Sequence, residues 1–457
     1  MDDNQKVVKA GEKLGYLSFS CANNIAYNLK SMYYYTFLTL ILRVDVLVAG
    51  VILAVGTIWD AVNDPLIAIY AANRTFKNGE KLRPYALYMC IPWAISVVLL
   101  FTNFHLNSVW TAIVCILVYF VFEALDTVLC MPYNSLASLA SRNDEDRKSI
   151  NAFRSLGSVL GTGLGAVAIL PIIQFFGGLK DHDILGEADS PAMVKTAVIM
   201  GVICILGSLI HYYTSKERIK SEEKEEHINL IQAYKMLFKC KSWVINMFYI
   251  MGYGIISTMV MQTINYYAAY VLGASSEALP IQAIYLVMAI ATSALIPAVD
   301  RKLGRKKTMV IAVIIMVIGK IPFIINPYSR IFVYLNALTV GIGLTATFVL
   351  FNTNRNNIAD VLEVQNGRRV DALVAGGDNL ITKLIEAFAI EMMSVLYKVS
   401  GFDEALLENQ SQGTINTINA FLGWIPAVIA LLMLIFVFRL DINKELAEAK
   451  NKNSDGR

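Results

Sequence analysis

Apolar runs of bilayer length recur along almost the whole chain, separated by short polar stretches. A helix needs roughly 20 apolar residues to cross a bilayer. By that criterion the pattern predicts about twelve spans, at 16–42, 44–71, 82–101, 108–137, 150–176, 193–213, 244–272, 279–299, 308–325, 331–351, 370–399 and 414–438. Backbone groups in lipid must be satisfied within the span. The expected fold class is therefore an all-α polytopic membrane protein.

The one long hydrophilic segment, 215–242, separates the sixth and seventh spans, and its run from Ser221 to Glu226 reads as a solvated linker or surface helix. It cuts the chain into an N-terminal six-helix half, 1–214, a central linker, 215–242, a C-terminal six-helix half, 243–440, and a polar tail, 441–457. The basic stretch from Asp300 to Lys307 follows the eighth span as the stretch from Arg74 to Lys81 follows the second. That weak repeat is of the kind found in transporters built from two related halves.

Charge orients the spans. Arg74, Lys77, Lys81 and Arg83, then Arg142, Arg147 and Lys148, then Arg301, Lys302, Arg305, Lys306 and Lys307, then Arg355, Arg368 and Arg369 fall on alternate loops. The loops between them are poor in base: 102–107 has none, and 177–190 carries Lys180 against several acids. The positive-inside rule places the basic loops and both termini in the cytoplasm. Residues 1–15 hold no apolar core and no cleavage site, so no signal peptide is expected, and the chain is assigned to the cell membrane.

Composition removes other classes. Hydrophobic residues are 56% and charged residues 16%, which excludes an ordinary soluble domain. A net charge of +3 does not indicate a nucleic-acid partner. Cys21, Cys90, Cys115, Cys130, Cys204 and Cys240 form no CxxC pair, and His105, His182, His211 and His227 show no metal-ligand spacing. No cofactor is expected, and the chain is expected to act as a monomer in the lipid bilayer.

The exceptions to apolarity carry the chemistry. Asp60 and Asp64 stand one helical turn apart near the end of the second run, with Asn63 between them. One carboxylate at a helix centre costs about 2.5–3.5 kcal/mol on insertion scales. Two carboxylates and an amide oxygen on one face make an oxygen-rich cage for Na⁺, Li⁺ or a proton, whose charge offsets the carboxylate repulsion. The opposing reading puts them in a wet helix end, satisfying loop groups. In the fourth span Glu123, Asp126, Thr127, Cys130 and Asn134 share a face, and Pro132 loosens the helix. Thr127 can offer its hydroxyl to an ion held by Asp60 and Asp64. In the first span Asn23, Tyr27 and Lys30 form one stripe, with Asn24, Asn28 and Ser31 beside it. Asp126 or Glu123 can balance Lys30, and Asp126 is the expected partner; the alternative leaves Lys30 in a watery vestibule. Arg154, early in the fifth span, reads as a gate ion pair, a donor to substrate hydroxyls or an interfacial anchor. Gln262, Asn265 and Tyr266 line one face of the seventh span, and Asp378, Asn379, Thr382, Lys383 and Glu386 one face of the eleventh. Taken singly, the amides read as glue between helices; several polar faces converging from both halves favour a site for a polyhydroxylated solute.

These residues resemble a known group. The stretch Ile58-Trp59-Asp60-Ala61-Val62-Asn63-Asp64-Pro65 resembles the second-span motif of the glycoside–pentoside–hexuronide:cation symporter family. Asn73 to Thr75 with Gly79, Arg83 and Pro84, Met131 to Leu136, Asp144 to Arg154, and Thr382 to Leu384 resemble the family's later motifs. The resemblance implies the major facilitator fold and Na⁺-, Li⁺- or H⁺-coupled sugar uptake. It matches Asp60, Asn63, Asp64 and Thr127 to cation-site positions, and Asn24, Arg154 and Lys383 to positions that line or support the sugar site. Departures accompany it. Sugar-binding acids of the family's best-known member fall at Asn24 and Cys130, with Asp126 one turn before Cys130. Its stacking tryptophan falls at Asn134, and Lys30 has no counterpart in the pattern.

The expected function is cation-coupled symport of a sugar or glycoside by alternating access. Two rivals are a lipid or other small-solute carrier on the same fold and an intramembrane aspartate-dependent enzyme. The second lacks any supporting Asp-Gly-x-x-Ala-Arg or Gly-x-Gly-Asp run, so an enzyme is not expected. The substrate-binding candidates are Asn24, Asp126, Cys130, Arg154, Asn379 and Lys383; the cation candidates are Asp60, Asn63, Asp64 and Thr127.

Overall fold

The computed structural model describes residues 7–455 except 78, 142, 181, 219–229, 367–370 and 407–408. The acidic run 221–226 of the expected linker and the basic residues Arg142, Arg368 and Arg369 lie outside the described residues. Every regular element among the described residues is helical. Besides a π-helical turn at Phe37–Ile41 and 3-10 turns at Glu187–Asp189 and Ser275–Glu277, the α-helices are α1 (Ala10–Thr36), α2 (Val46–Asn73), α3 (Pro84–Tyr88), α4 (Cys90–Leu100), α5 (Ser108–Ala140), α6 (Asp144–Val167), α7 (Ile169–Phe175), α8 (Ser190–Thr214), α9 (Leu230–Lys239), α10 (Lys241–Tyr270), α11 (Ala278–Leu303), α12 (Arg305–Ile325), α13 (Arg330–Asn366), α14 (Asp371–Val399), α15 (Gln412–Leu422), α16 (Trp424–Arg439) and α17 (Ile442–Asp455).

Each expected span has a helical counterpart, but three are broken. The third is the pair α3–α4, the fifth is α6–α7, bent by 44°, and the twelfth is α15–α16, interrupted at Gly423. Among the described residues, eight helices are long and apolar enough to cross a membrane, and the bent α6–α7 pair makes a ninth. The other three expected spans are α1, α3–α4 and α14. Helix α4 is short, and α1 and α14 carry the polar stripes that lower their hydropathy. Helix starts follow local chemistry. Asp45 accepts the Leu47 and Val48 N–H groups at the start of α2, and Asn143 accepts those of Glu145 and Asp146 at the start of α6. Both satisfy donors that a helix N-terminus leaves without intrahelical partners.

The packing divides the chain into two compact units. The first comprises Met1–Glu223, Asn265–Leu279 and Met393–Thr414; the second comprises Lys224–Ile264, Pro280–Met392 and Ile415–Arg457. In the first, α1 lies on α6 along a ridge of Gly157, Gly161 and Gly165. A Cβ added at these positions would lie 2.3 Å from the Leu17 carbonyl oxygen, 2.2 Å from that of Cys21 and 2.8 Å from Asn28 Cβ. Small residues every fourth position allow this backbone approach, the usual device between helices in lipid. Helix α2 packs on α5 where Gly56 receives the Tyr119 ring; a Cβ added there would fall 1.9 Å from it. Trp59 Nε1 donates to the Phe120 carbonyl at 3.1 Å, and the two rings stack at 5.1 Å. These contacts fix the rotation of α2, and with it the direction of its acidic face.

In the second unit, Arg305 binds Asp300 at 2.7 Å and Asn354 at 2.9 Å, closing the α11–α12 turn. Lys320 on α12 is fully buried. It donates to the Leu422 carbonyl at 2.9 Å and to Asn336 Oδ1 at 3.4 Å. That carbonyl ends α15 at the break, and Asn336 Nδ2 donates to it as well, at 3.2 Å.

Candidate cation and substrate site

Thr127 joins α5 to the acidic face of α2. Its hydroxyl lies 3.3 Å from Asp60 Oδ1 and 3.0 Å from Asp64 Oδ1. A threonine hydroxyl has one proton to donate. It can serve only one of two converging carboxylates at a time, and its lone pairs are available to a cation. Asn63, between them on α2, is buried, and neither its amide nitrogen nor its amide oxygen has a hydrogen-bond partner among the described residues. A buried amide left so costs about 1–3 kcal/mol. Two carboxylates, a hydroxyl and an orphaned amide are the hard oxygen donors a monovalent cation takes. Among the described residues no group of three or more His, Cys, Asp or Glu side chains converges as a metal cluster.

A second polar layer runs between α1 and α5 in antiparallel register. Tyr34 meets the Cys115 carbonyl at 3.4 Å, Lys30 meets Glu123 at 2.6 Å, Asn23 meets Asp126 at 2.9 Å, and Tyr133 donates to the Tyr16 carbonyl at 2.7 Å. The register corrects one expectation: the partner of Lys30 is Glu123, not Asp126. Both acids lie on the same face of α5, but as α1 advances α5 retreats, so the more distal Lys30 reaches the earlier acid. Asp126 also takes the Cys130 thiol, at 3.7 Å.

The remaining candidates are placed as follows. Asn24 is built into the α1–α6 contact: its Oδ1 accepts from Ser158 at 3.0 Å and Thr162 at 3.4 Å, and its Nδ2 donates to the Ser20 carbonyl at 2.8 Å. Arg154 stands over the Tyr133 ring at 4.7 Å and bonds the Asn134 side chain. Of these candidates Asp126 and Cys130 meet directly on α5, whereas Asn24 on α1 and Arg154 on α6 are each engaged with other partners. Asn379 and Lys383 lie on α14 within the second unit, Asn379 exposed and Lys383 half-buried. Asn265 is interhelical glue: its Nδ2 donates to the Met32 carbonyl at 2.6 Å and to Thr36 at 3.3 Å.

Sequence reasoning missed several members of these layers. Ser158 and Thr162 read as ordinary polar residues of a span; their four-residue spacing opposite Asn24 was the available signal. Tyr119, which walls the Lys30 pair, was hidden in an apolar run. Lys320 carries a signal of its own in the sequence, as a lone cation inside the ninth span.

The family described as MFS/sugar transport protein matches residues 15–444. The chain belongs to that family. It is an integral, multi-pass membrane transporter, not an enzyme. It is similar to the isoprimeverose transporter of Lactiplantibacillus pentosus, 22% identical over 93% of this chain and 87% of that one. It is also similar to the sodium-dependent lysophosphatidylcholine symporter 1 of Gallus gallus, 22% identical over 90% of this chain and 82% of that one. Among solved structures, a D-xylose-proton symporter shares the fold with a TM-score of 0.63, at 15% identity over 94% of this chain and 96% of that one. The expectation of an all-α major facilitator transporter is thereby met.

Proposed function

We propose that the protein is a secondary transporter that carries a sugar or glycoside across the membrane together with Na⁺, Li⁺ or H⁺, by alternating access of two six-helix halves joined at 215–242. The observation that carries the reading is the single Thr127 hydroxyl set against both Asp60 and Asp64. Two acids at membrane depth are tolerated when a cation or proton travels with them. Asp60, Asn63, Asp64 and Thr127 hold the coupling ion in this reading. Asn24, Asp126, Cys130, Arg154, Asn379 and Lys383 serve the substrate in the same reading. Amides, a carboxylate and a guanidinium match a solute rich in hydroxyls, and sugar-transporting relatives support that class. The protein works as a monomer in the cell membrane with both termini cytoplasmic.

The lysophosphatidylcholine symporter among the relatives favours one second reading, a lysolipid carrier on the same fold. Proteoliposome uptake separates the two. A panel of labelled glycosides and a labelled lysophosphatidylcholine is offered under Na⁺, Li⁺ or pH gradients. The sugar reading expects gradient-driven accumulation of at least one glycoside, lost in Asp64→Asn. Movement of the lysolipid alone, or glycoside uptake indifferent to every gradient, overturns it.

A further inference from the structure

Lys30 is bound to Glu123, which stands one helical turn from the proposed cation ligand Thr127, and the transport reading gives Lys30 no task. Glu123 and Thr127 are four residues apart on α5, so they project from one face. Thr127 meets Asp60 and Asp64, while Glu123 meets Lys30 Nζ at 2.6 Å. The pair is sealed in, with side-chain exposures of 13% for Lys30 and 4% for Glu123. Its ammonium lies 5.2, 5.6 and 5.5 Å from the ring centroids of Tyr27, Tyr119 and Phe122. Tyr119 is itself held against Gly56 of α2, one turn before Asp60. Asp60 faces both Lys30 and Glu123 electrostatically, and Asp126 faces them from one turn along α5. Charges in such a dry site act on one another over several ångströms.

We infer that Lys30 is a built-in cation that sets the affinity of the Asp60–Asp64 site for its coupling ion, with Glu123 the counter-charge that restrains it. The inference rests on reading Asp60 and Asp64 as the cation site. An arriving cation meets the attraction of the aspartates and the repulsion of the resident ammonium, and Glu123 cancels most of that repulsion. Removing the ammonium leaves an extra negative charge beside Asp60, and the ion binds more tightly. Neutralising Glu123 leaves the ammonium free to lean on Asp60, and the ion binds more weakly. A salt bridge that only held α1 to α5 would not produce opposite signs.

The test is cation binding by the purified full-length protein in detergent, followed by calorimetry and by cation-induced thermal shift with NaCl and LiCl. K30M lowers the half-saturating concentration by about tenfold, and E123Q raises it by about tenfold. The K30M/E123Q double variant returns to within about threefold of the parent, and K30R keeps the parent value. If the parent responds to neither salt, the same opposite shifts are read in the proton concentration for half-maximal uptake. Should K30M fail to fold, E123Q against the double variant decides. Single variants that shift affinity in the same direction, or not at all, overturn the inference. D64N separates the two levels: a parent-like cation response in D64N overturns the cation-site reading itself, whereas its loss with unmoved K30M and E123Q overturns only the role of Lys30.

Discussion

Lys30 and Glu123 face each other at 2.6 Å across α1 and α5, in a register that also sets Asn23 against Asp126. Breaking a buried pair by removing one partner costs about 3–5 kcal/mol, because the other charge is left uncompensated. Lys30→Met and Glu123→Gln are each expected to lower thermal stability in detergent, and the double variant to recover most of the loss. Asp126→Leu combined with Lys30→Met is expected to show a weaker coupling than the Lys30–Glu123 cycle, because Asp126 acts on the ammonium only through space while its carboxylate is bonded to Asn23. A stability cycle over the variants measures both couplings.

Thr127 is the bridge to the acidic face of α2. Asp60→Asn and Asp64→Asn are expected to abolish cation-driven accumulation while substrate exchange survives, since the proposed substrate contacts lie on other helices. Thr127→Val keeps the volume and removes the hydroxyl. It is expected to raise the half-saturating cation concentration roughly tenfold, the loss of one hydrogen-bonding oxygen to a charged group. Gradient-driven uptake and counterflow, assayed side by side, check all three variants.

The glycine ridge of α6 leaves no room for a side chain. Gly161→Val is expected to destabilise the protein by about 1–3 kcal/mol or more, as overpacking does, because its Cβ would meet the Cys21 carbonyl oxygen at 2.2 Å. Gly11→Ala on α1 is the control. Its Cβ meets nothing within 4 Å, and alanine favours the helix by up to about 1 kcal/mol. Thermal unfolding in one detergent compares the two.

The orientation is checked by single-cysteine labelling. Lys180 and Lys216 are both exposed, on loops predicted to lie on opposite sides of the membrane. An impermeant maleimide added to intact cells is expected to label Lys180→Cys and to spare Lys216→Cys, with the native cysteines replaced. The reverse pattern would invert the topology.

Much of this was legible because it is local. The four-residue spacing of Asp60 and Asp64 fixes a common face whatever surrounds it, and the apolar run lengths locate the spans. Register between helices is not local. Glu123 and Asp126 share a face of α5, and nothing in either segment says which one Lys30 reaches. Breaks were hidden for a related reason. The run 150–176 is apolar enough to read as one span, yet it bends 44° between α6 and α7. Lys320 shows the limit clearly: its nearest acceptor is the backbone carbonyl of Leu422, freed by the break at Gly423, and a main-chain partner leaves no mark in a side-chain pattern.

The seam between α1 and α6 has a mechanical meaning. With three glycines against the α1 backbone and Asn24 tied to Ser158 and Thr162, no compliant layer of side chains separates the two helices. They are expected to move as one plank, so that a tilt of α1 carries Arg154 of α6 and the Asn23–Lys30 stripe along together instead of being absorbed as repacking.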